Sequence, residues 1–245
     1  MQWVEKHRRL LFIAVLLVLL LLYLPARLIA FGLPEPIKFS GLSGTLWSGQ
    51  AARAWIRLGN EPLMLGQVRW QVIPWRLFWS APVRLTSQWG PQHIDVNVGF
   101  GIDGSLRLSD ALFSLDATFL KTLFPLYLDA ALSGVMRHLE IKDGLPVSVD
   151  GSLTVSHAVW TAKSGDVPLG TYEITLSGDD FIRGTVTTSE GPLLVNGEVM
   201  LSGQSYKIDL QGAGAMALDQ NLQRAIMLVA EPTPQGFALL LEGNL

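Results

Sequence analysis

One uninterrupted apolar run governs what this chain can become. Leu10 to Ala26 contains no charged residue and is built mostly of Leu, Val, Ile, Phe and Ala. Lys6-His7-Arg8-Arg9 precedes it and Arg27 follows it. Extended to Ile29, the segment reaches about 20 residues, the length a helix needs to cross a hydrocarbon core. Arg27 then falls near the outer end, where a long cationic side chain can snorkel to the headgroups. Cationic flanks stay on the cytoplasmic side, so the expectation is a single span with its N-terminus in the cytoplasm. A cleaved signal peptide would need a small-x-small site next; Leu28-Ile29-Ala30 is a poor one. The sequence therefore predicts a cytoplasmic tail over 1–9, a transmembrane helix over 10–29, a Pro-containing linker over 30–38 and an exported β-rich domain over 39–245.

Composition narrows the function of the exported part. Charged residues make up 16% of the 245 and hydrophobic ones 49%, against about 25% charged in a typical soluble domain. Residues 1–30 carry a net +3, so the remainder carries −6 of the total −3. Nucleic-acid binders need a basic surface to displace counterions from phosphates, so none is expected as a partner. Cysteine is absent, which removes disulfides, thiolate catalysis and Cys-based metal sites.

After Leu33-Pro34-Glu35-Pro36, a stiff spacer, the chain reads as strand after strand. Ile94, Val96, Val98, Phe100 and Ile102 alternate with mostly polar or small residues, Asp103-Gly104 interrupts, and Leu106 and Leu108 resume. Alternation across a turn dipeptide predicts a hairpin. The unit recurs as Asp150-Gly-Ser-Leu and Asn196-Gly-Glu-Val, with Gly104, Gly151 and Gly197 spaced 47 and 46 apart. Keeping apolar residues on one face pairs Phe100 with Leu106, Val147 with Leu153 and Leu193 with Val199. That predicts three-residue loops with each of these glycines left-handed. Helical spacing predicts short helices over 114–123 and 219–229, the first ended by Pro125. Asp179-Asp180 reads as a turn. Six of eight tryptophans fall between Trp47 and Trp89, read mainly as packing and alternatively as a recognition surface.

Motifs for chemistry do not hold up. Gly99-Phe-Gly-Ile-Asp-Gly104 matches the dinucleotide fingerprint in letters, but that site needs a following helix and a strand follows. Gly212 to Ala217 leaves too little chain after it for a nucleotide-binding fold. His93, His138 and His157 lack ligand spacing. No cofactor and no enzymatic activity are expected.

Leu42-Ser-Gly-Thr-Leu-Trp-Ser-Gly-Gln-Ala51 resembles the type II secretion system protein N family, also called general secretion pathway protein N. Ser43, Gly44, Thr45, Leu46, Trp47, Ser48 and Gly49 are the most specific part. The resemblance continues through Val68-Arg-Trp70, Gly151-Ser-Leu with Trp160, Pro168-Leu-Gly-Thr-Tyr172 and Leu241-Glu-Gly-Asn-Leu245. It implies a non-enzymatic accessory component of the machine that exports folded proteins across the outer membrane of Gram-negative bacteria. It further implies an inner-membrane helix, a periplasmic body formed by an extended, curved antiparallel sheet with a few short helices, and no catalytic residues. Partners implied are inner-membrane lipid, other secretion subunits of the inner-membrane platform or outer-membrane channel, and the exported proteins. The alternative is a lipid-handling protein of the AsmA-like kind, which would also combine one anchor with a long curved sheet.

Overall fold

A computed structural model describes residues 2–32, 37–58, 61–74, 76, 81–101, 103–115, 128–162, 165–214, 220–228 and 230–244. Helix α1 spans Gln2–Leu22. It stops there because Pro25 lacks an amide hydrogen and forces the residue before it out of the helical region. Pro25 is extended, at φ −70° and ψ 144°, and forms an isolated bridge with Thr45. A 3-10 turn over Ala26–Leu28 and the four-residue helix α2, Ile29–Gly32, complete the segment. The single helix expected over 10–29 is thus corrected to a helix, an extended break and two short turns. Among the described residues no helix is long and apolar enough to cross a membrane. The 33–36 spacer lies outside the described residues.

The rest is mainly β, as the alternation predicts. Strands β1 (Ile37–Gly44), β2 (Ser48–Leu58), β3 (Glu61–Val72), β4 (Val83–Trp89), β5 (Gln92–Phe100) and β6 (Leu106–Leu115) come first. Then follow β7 (Leu128–Lys142), β8 (Leu145–Ala162), β9 (Gly165–Asp179), β10 (Phe181–Glu190), β11 (Leu194–Ser202) and β12 (Ser205–Ala213). Helix α3 (Gln220–Met227) precedes β13 (Glu231–Thr233) and β14 (Gly236–Asn244). All fourteen strands form one antiparallel sheet in chain order, except that β14 lies between β12 and β13.

Alternation sorts the side chains to two faces. In β10, Ile182 and Val186 are buried while Phe181, Arg183 and Thr185 are exposed. The apolar face gathers into three clusters. One lies around Ala26, Ala51 and Trp70. The second surrounds Val96, Ala111, Met136, Val149 and Ile182. The third, around Ala130, Ala158, Leu169 and Phe237, is joined by Leu222 of α3 with Ile226 and Met227 beside it. That is the helix expected near 219–229. The helix expected over 114–123 is corrected at its start, since Ser114 and Leu115 finish β6; positions 116–127 lie outside the described residues.

The turns explain where glycine is needed. Phe100 pairs with Leu106, and the Gly101 amide donates to Ser105 O at 2.7 Å. This closes a three-residue loop in which Gly104 sits at φ 82°. Asp103 Oδ1 accepts from the Ser105 amide and hydroxyl. With Lys142 beside it, these bonds hold the Asp103 carboxyl down to about 2. The loops expected at Gly151 and Gly197 are corrected. Gly151 lies inside β8, paired with Met136 and Leu176. Gly197 lies inside β11, opposite Val186 and Leu210. The β7–β8 hairpin turns instead at Asp143-Gly144, where φ is 51° and 82° and Lys142 pairs with Leu145, the two-residue turn with both centres left-handed. At Gly151 the constraint is space: an added Cβ would lie 2.5 Å from Met136 Sδ and 2.7 Å from Val135 O. Asp179-Asp180 does turn the chain, with Asp180 at φ 55° between β9 and β10.

These two glycines separate by substitution. Gly104→Val should lose roughly 1–3 kcal/mol and Gly104→Asn much less, since Asn tolerates positive φ. At Gly151, Asn should bring no relief over Val, because the obstacle is the neighbouring strand. Urea unfolding of the four variants checks this, and a Gly151→Asn protein as stable as the parent would contradict it. Asp103 adds a pH dependence. Its folded pKa of about 2 is below the unfolded value of about 3.9. The stability it contributes is therefore present above about pH 4 and lost as pH falls toward about 2. Thermal unfolding of Asp103→Asn should vary less across that window than the parent.

Candidate functional site

The Ser43–Gly49 motif is the loop of the first hairpin. Gly44 pairs with Gly49 across it, and Thr45, Leu46 and Trp47 make the turn. The Thr45 amide donates to Ser48 O at 2.9 Å, and the Ser48 amide donates to Thr45 Oγ1 at 3.1 Å. Gly44 has φ 90°. At Gly49 a Cβ would lie 2.4 Å from the Trp70 ring. Gly44, Thr45 and Gly49 of the motif thus each have a geometric task.

The loop binds the end of α1. The Leu46 amide donates to Leu24 O at 2.8 Å. The Trp47 indole Nε1 donates to Leu21 O at 2.8 Å. Leu21 O lies in the last turn of α1, where carbonyls lack intrahelical donors, and Leu24 O lies two residues beyond the helix. The loop is held in turn by β3: Trp70 Nε1 donates to Leu46 O at 3.1 Å and the Val72 amide donates to Trp47 O at 2.6 Å. Phe39 stacks on Trp70, with centroids 6.3 Å apart and planes 8° from parallel. Ala26, 1% exposed, is pressed into the same cluster. Of the six tryptophans between 47 and 89, Trp70 is therefore core and Trp47 is a clamp. Sequence reasoning did not find Trp70 or the carbonyls of Leu21 and Leu24 as partners of the motif. Pro25, directly after an apolar run, was the available signal.

Among the described residues no group of three or more His, Cys, Asp or Glu could hold a metal ion. His93, His138 and His157 sit on three different strands, β5, β7 and β8. Gly99–Gly104 runs from the end of β5 into the hairpin loop, with no helix behind it. Gly104 itself is a loop residue, and Gly151 and Gly197 are strand residues remote in sequence from the motif.

The family model for protein N of the type II secretion system matches residues 35–239, across the hairpin motif and the whole sheet as far as β14. The chain belongs to this family. Type II secretion system protein N of Aeromonas hydrophila is 31% identical over 183 residues, covering 68% of each chain. Protein N of Vibrio cholerae is 28% identical over 207 residues, covering 74% of this chain and 73% of that one. No solved structure matches significantly. The family match spans the loop and Trp70 and begins after α1.

The junction can be loosened without dissolving the sheet. Trp47→Phe keeps a ring but removes the donor to Leu21 O. It should raise hydrogen exchange at the Leu46 amide and speed proteolysis between Leu22 and Ile37, while the sheet loses roughly 0.5–1.5 kcal/mol. Gly49→Ala drives a methyl against Trp70 and should cost about 1–3 kcal/mol. Unchanged exchange at Leu46 in Trp47→Phe would show that the indole is not a clamp.

Proposed function

We propose that this chain is a non-enzymatic inner-membrane component of the type II secretion system. In this reading it is held by α1 with its N-terminus in the cytoplasm, and its sheet stands in the periplasm. The observation that carries membrane attachment is exposure. Every large apolar side chain from Leu11 to Leu22 is exposed, at between 46% and 69%, and nothing among the described residues covers it. A helix apolar on all sides is buried in a protein core or a membrane. The uncharged part of α1 is shorter than a standard span. Local thinning of the bilayer accommodates such a mismatch. Family membership supports the secretion role, and it supports contacts with other secretion subunits, of the inner-membrane platform or the outer-membrane channel, and with exported proteins. The body acts there by binding and positioning, and confinement to the membrane raises its effective concentration near such partners.

Deleting the gene should leave type II substrates in the periplasm. A periplasm-active reporter fused after Leu245 should be active, and a cytoplasm-only reporter there dark. Replacing residues 1–32 by a cleavable signal should complement poorly at native expression and better on overproduction. Normal secretion in the deletion strain together with a failing outer-membrane lipid barrier would replace this reading with lipid handling.

A further inference from the structure

Charge divides this chain into two parts. Residues 1–94 carry ten Lys or Arg against three Asp or Glu, a net +7, whereas residues 95–245 carry eight against eighteen, a net −10. The basic part contains α1 and the first four strands.

The structure puts the strand cations of the basic part on one face. Phe39, Ala51, Ala54, Val68 and Trp70 mark the packed face of β1–β3. Their alternating neighbours Lys38, Arg53, Arg57 and Arg69 are exposed, and by the period of two they point to the other side. Trp55 lies between Arg53 and Arg57 on that side, and the register sets it opposite Lys38. Gln50 stands opposite Arg69.

Pairing distinguishes these cations from the other cations of the strands. Among the described residues Lys38, Arg53, Arg57 and Arg69 form no ion pair. Farther along the sheet, Arg84, Arg107, Arg137, Lys142, Arg183 and Lys207 each have a carboxylate partner. Between Ile37 and Val72 the sequence holds one acidic residue, Glu61. Arg69 also lines a cleft of about 580 Å³ with Ser43, Ser48, Gln50 and Gln71, and no carboxylate is among its walls. Arg84 reaches this cleft, but its charge is matched by Asp95 at 2.7 Å.

We infer that the outer face of β1–β3 rests on anionic lipid headgroups, so that the first strands lie along the membrane surface and the acidic strands face away from it. Guanidinium groups without carboxylate partners suit phosphate, to which they bind through paired N–H donors. Each Lys or Arg near an anionic leaflet contributes roughly a fivefold change in binding. An indole among cations suits the interface between headgroup and acyl chain. Position decides for lipid over an acidic protein: the cleft is walled by the same loop that grips the end of α1, so headgroups are the anionic surface always within reach. The inference rests on α1 being the membrane anchor.

The chain has no cysteine, so a single introduced thiol reports one place. Full-length protein carrying Ser40→Cys, on the basic face opposite Arg53, or Thr187→Cys, exposed on β10, is labelled with an environment-sensitive fluorophore. Each is reconstituted into vesicles of phosphatidylcholine, alone or mixed with phosphatidylglycerol, that contain a headgroup-attached quencher. The position 40 label should be quenched roughly fivefold more in anionic than in neutral vesicles. Raised salt should remove the difference, as should Arg53→Gln with Arg57→Gln. The position 187 label should stay unquenched. A position 40 label equally quenched in both vesicles, or in neither, overturns the inference. Protection that follows protein concentration and ignores lipid charge also overturns it, in favour of the acidic strands of a second copy. Flotation with the vesicles after alkaline carbonate reads the anchor separately: protein that floats with an unquenched label sinks the docking face alone, and protein that does not float sinks the anchor.

Discussion

The donation of two hydrogen bonds from one hairpin loop to the end of α1 is the contact on which the arrangement depends. Carbonyls at a helix end lack intrahelical donors and take partners from elsewhere. Leu46 supplies a backbone amide and Trp47 an indole N–H. Neither donor would be in place unless the loop were rigid, and its rigidity comes from Thr45 and Ser48 within it and from Trp70 behind it. The helix is thus fixed to a sheet corner, and the break at Pro25 is the means by which the chain reaches that corner.

From there the sheet extends as a single layer with two unlike faces. The packed face collects Val, Leu, Ala and Met into clusters, and α3 closes one of them. The other face carries the charge, and its character changes along the sheet. Ion pairs between adjacent strands, such as Arg137 with Asp150 and Lys207 with Glu242, match the cations of the later strands. Exposed pairs of this kind stabilise little, and the carboxylates beyond them leave this part acidic.

Much of this was legible in the sequence, and the exceptions have physical causes. Alternation in Ile94, Val96 and Val98 identifies the strands because one face is buried and the other wet. Parity located the Gly104 loop because Phe100 and Leu106 had to share a face. The same argument failed at Gly151 and Gly197 because strand length was unknown: β8 has 18 residues, and the Asp143-Gly144 turn that ends β7 was passed over for a dipeptide inside the strand. Glycine there answers to a close neighbour, a constraint that only the paired strand reveals. The motif itself stood out in the sequence, but its partner carbonyls could not, since a carbonyl belongs to every residue alike. The far end of α1 was misplaced because hydropathy continues through Pro25 while helical geometry does not.

The strict succession of strands bears on how such a body comes into being. From β1 to β12 each strand hydrogen-bonds to the ones adjacent in sequence. No early strand waits for a distant segment, so closure entropy is small at each addition. A chain delivered from its N-terminal side can fasten the first hairpin to its helix and then lay down each strand on the one before it. The pattern changes where β14 slots between β12 and β13, so the β13–β14 hairpin joins the sheet as a unit.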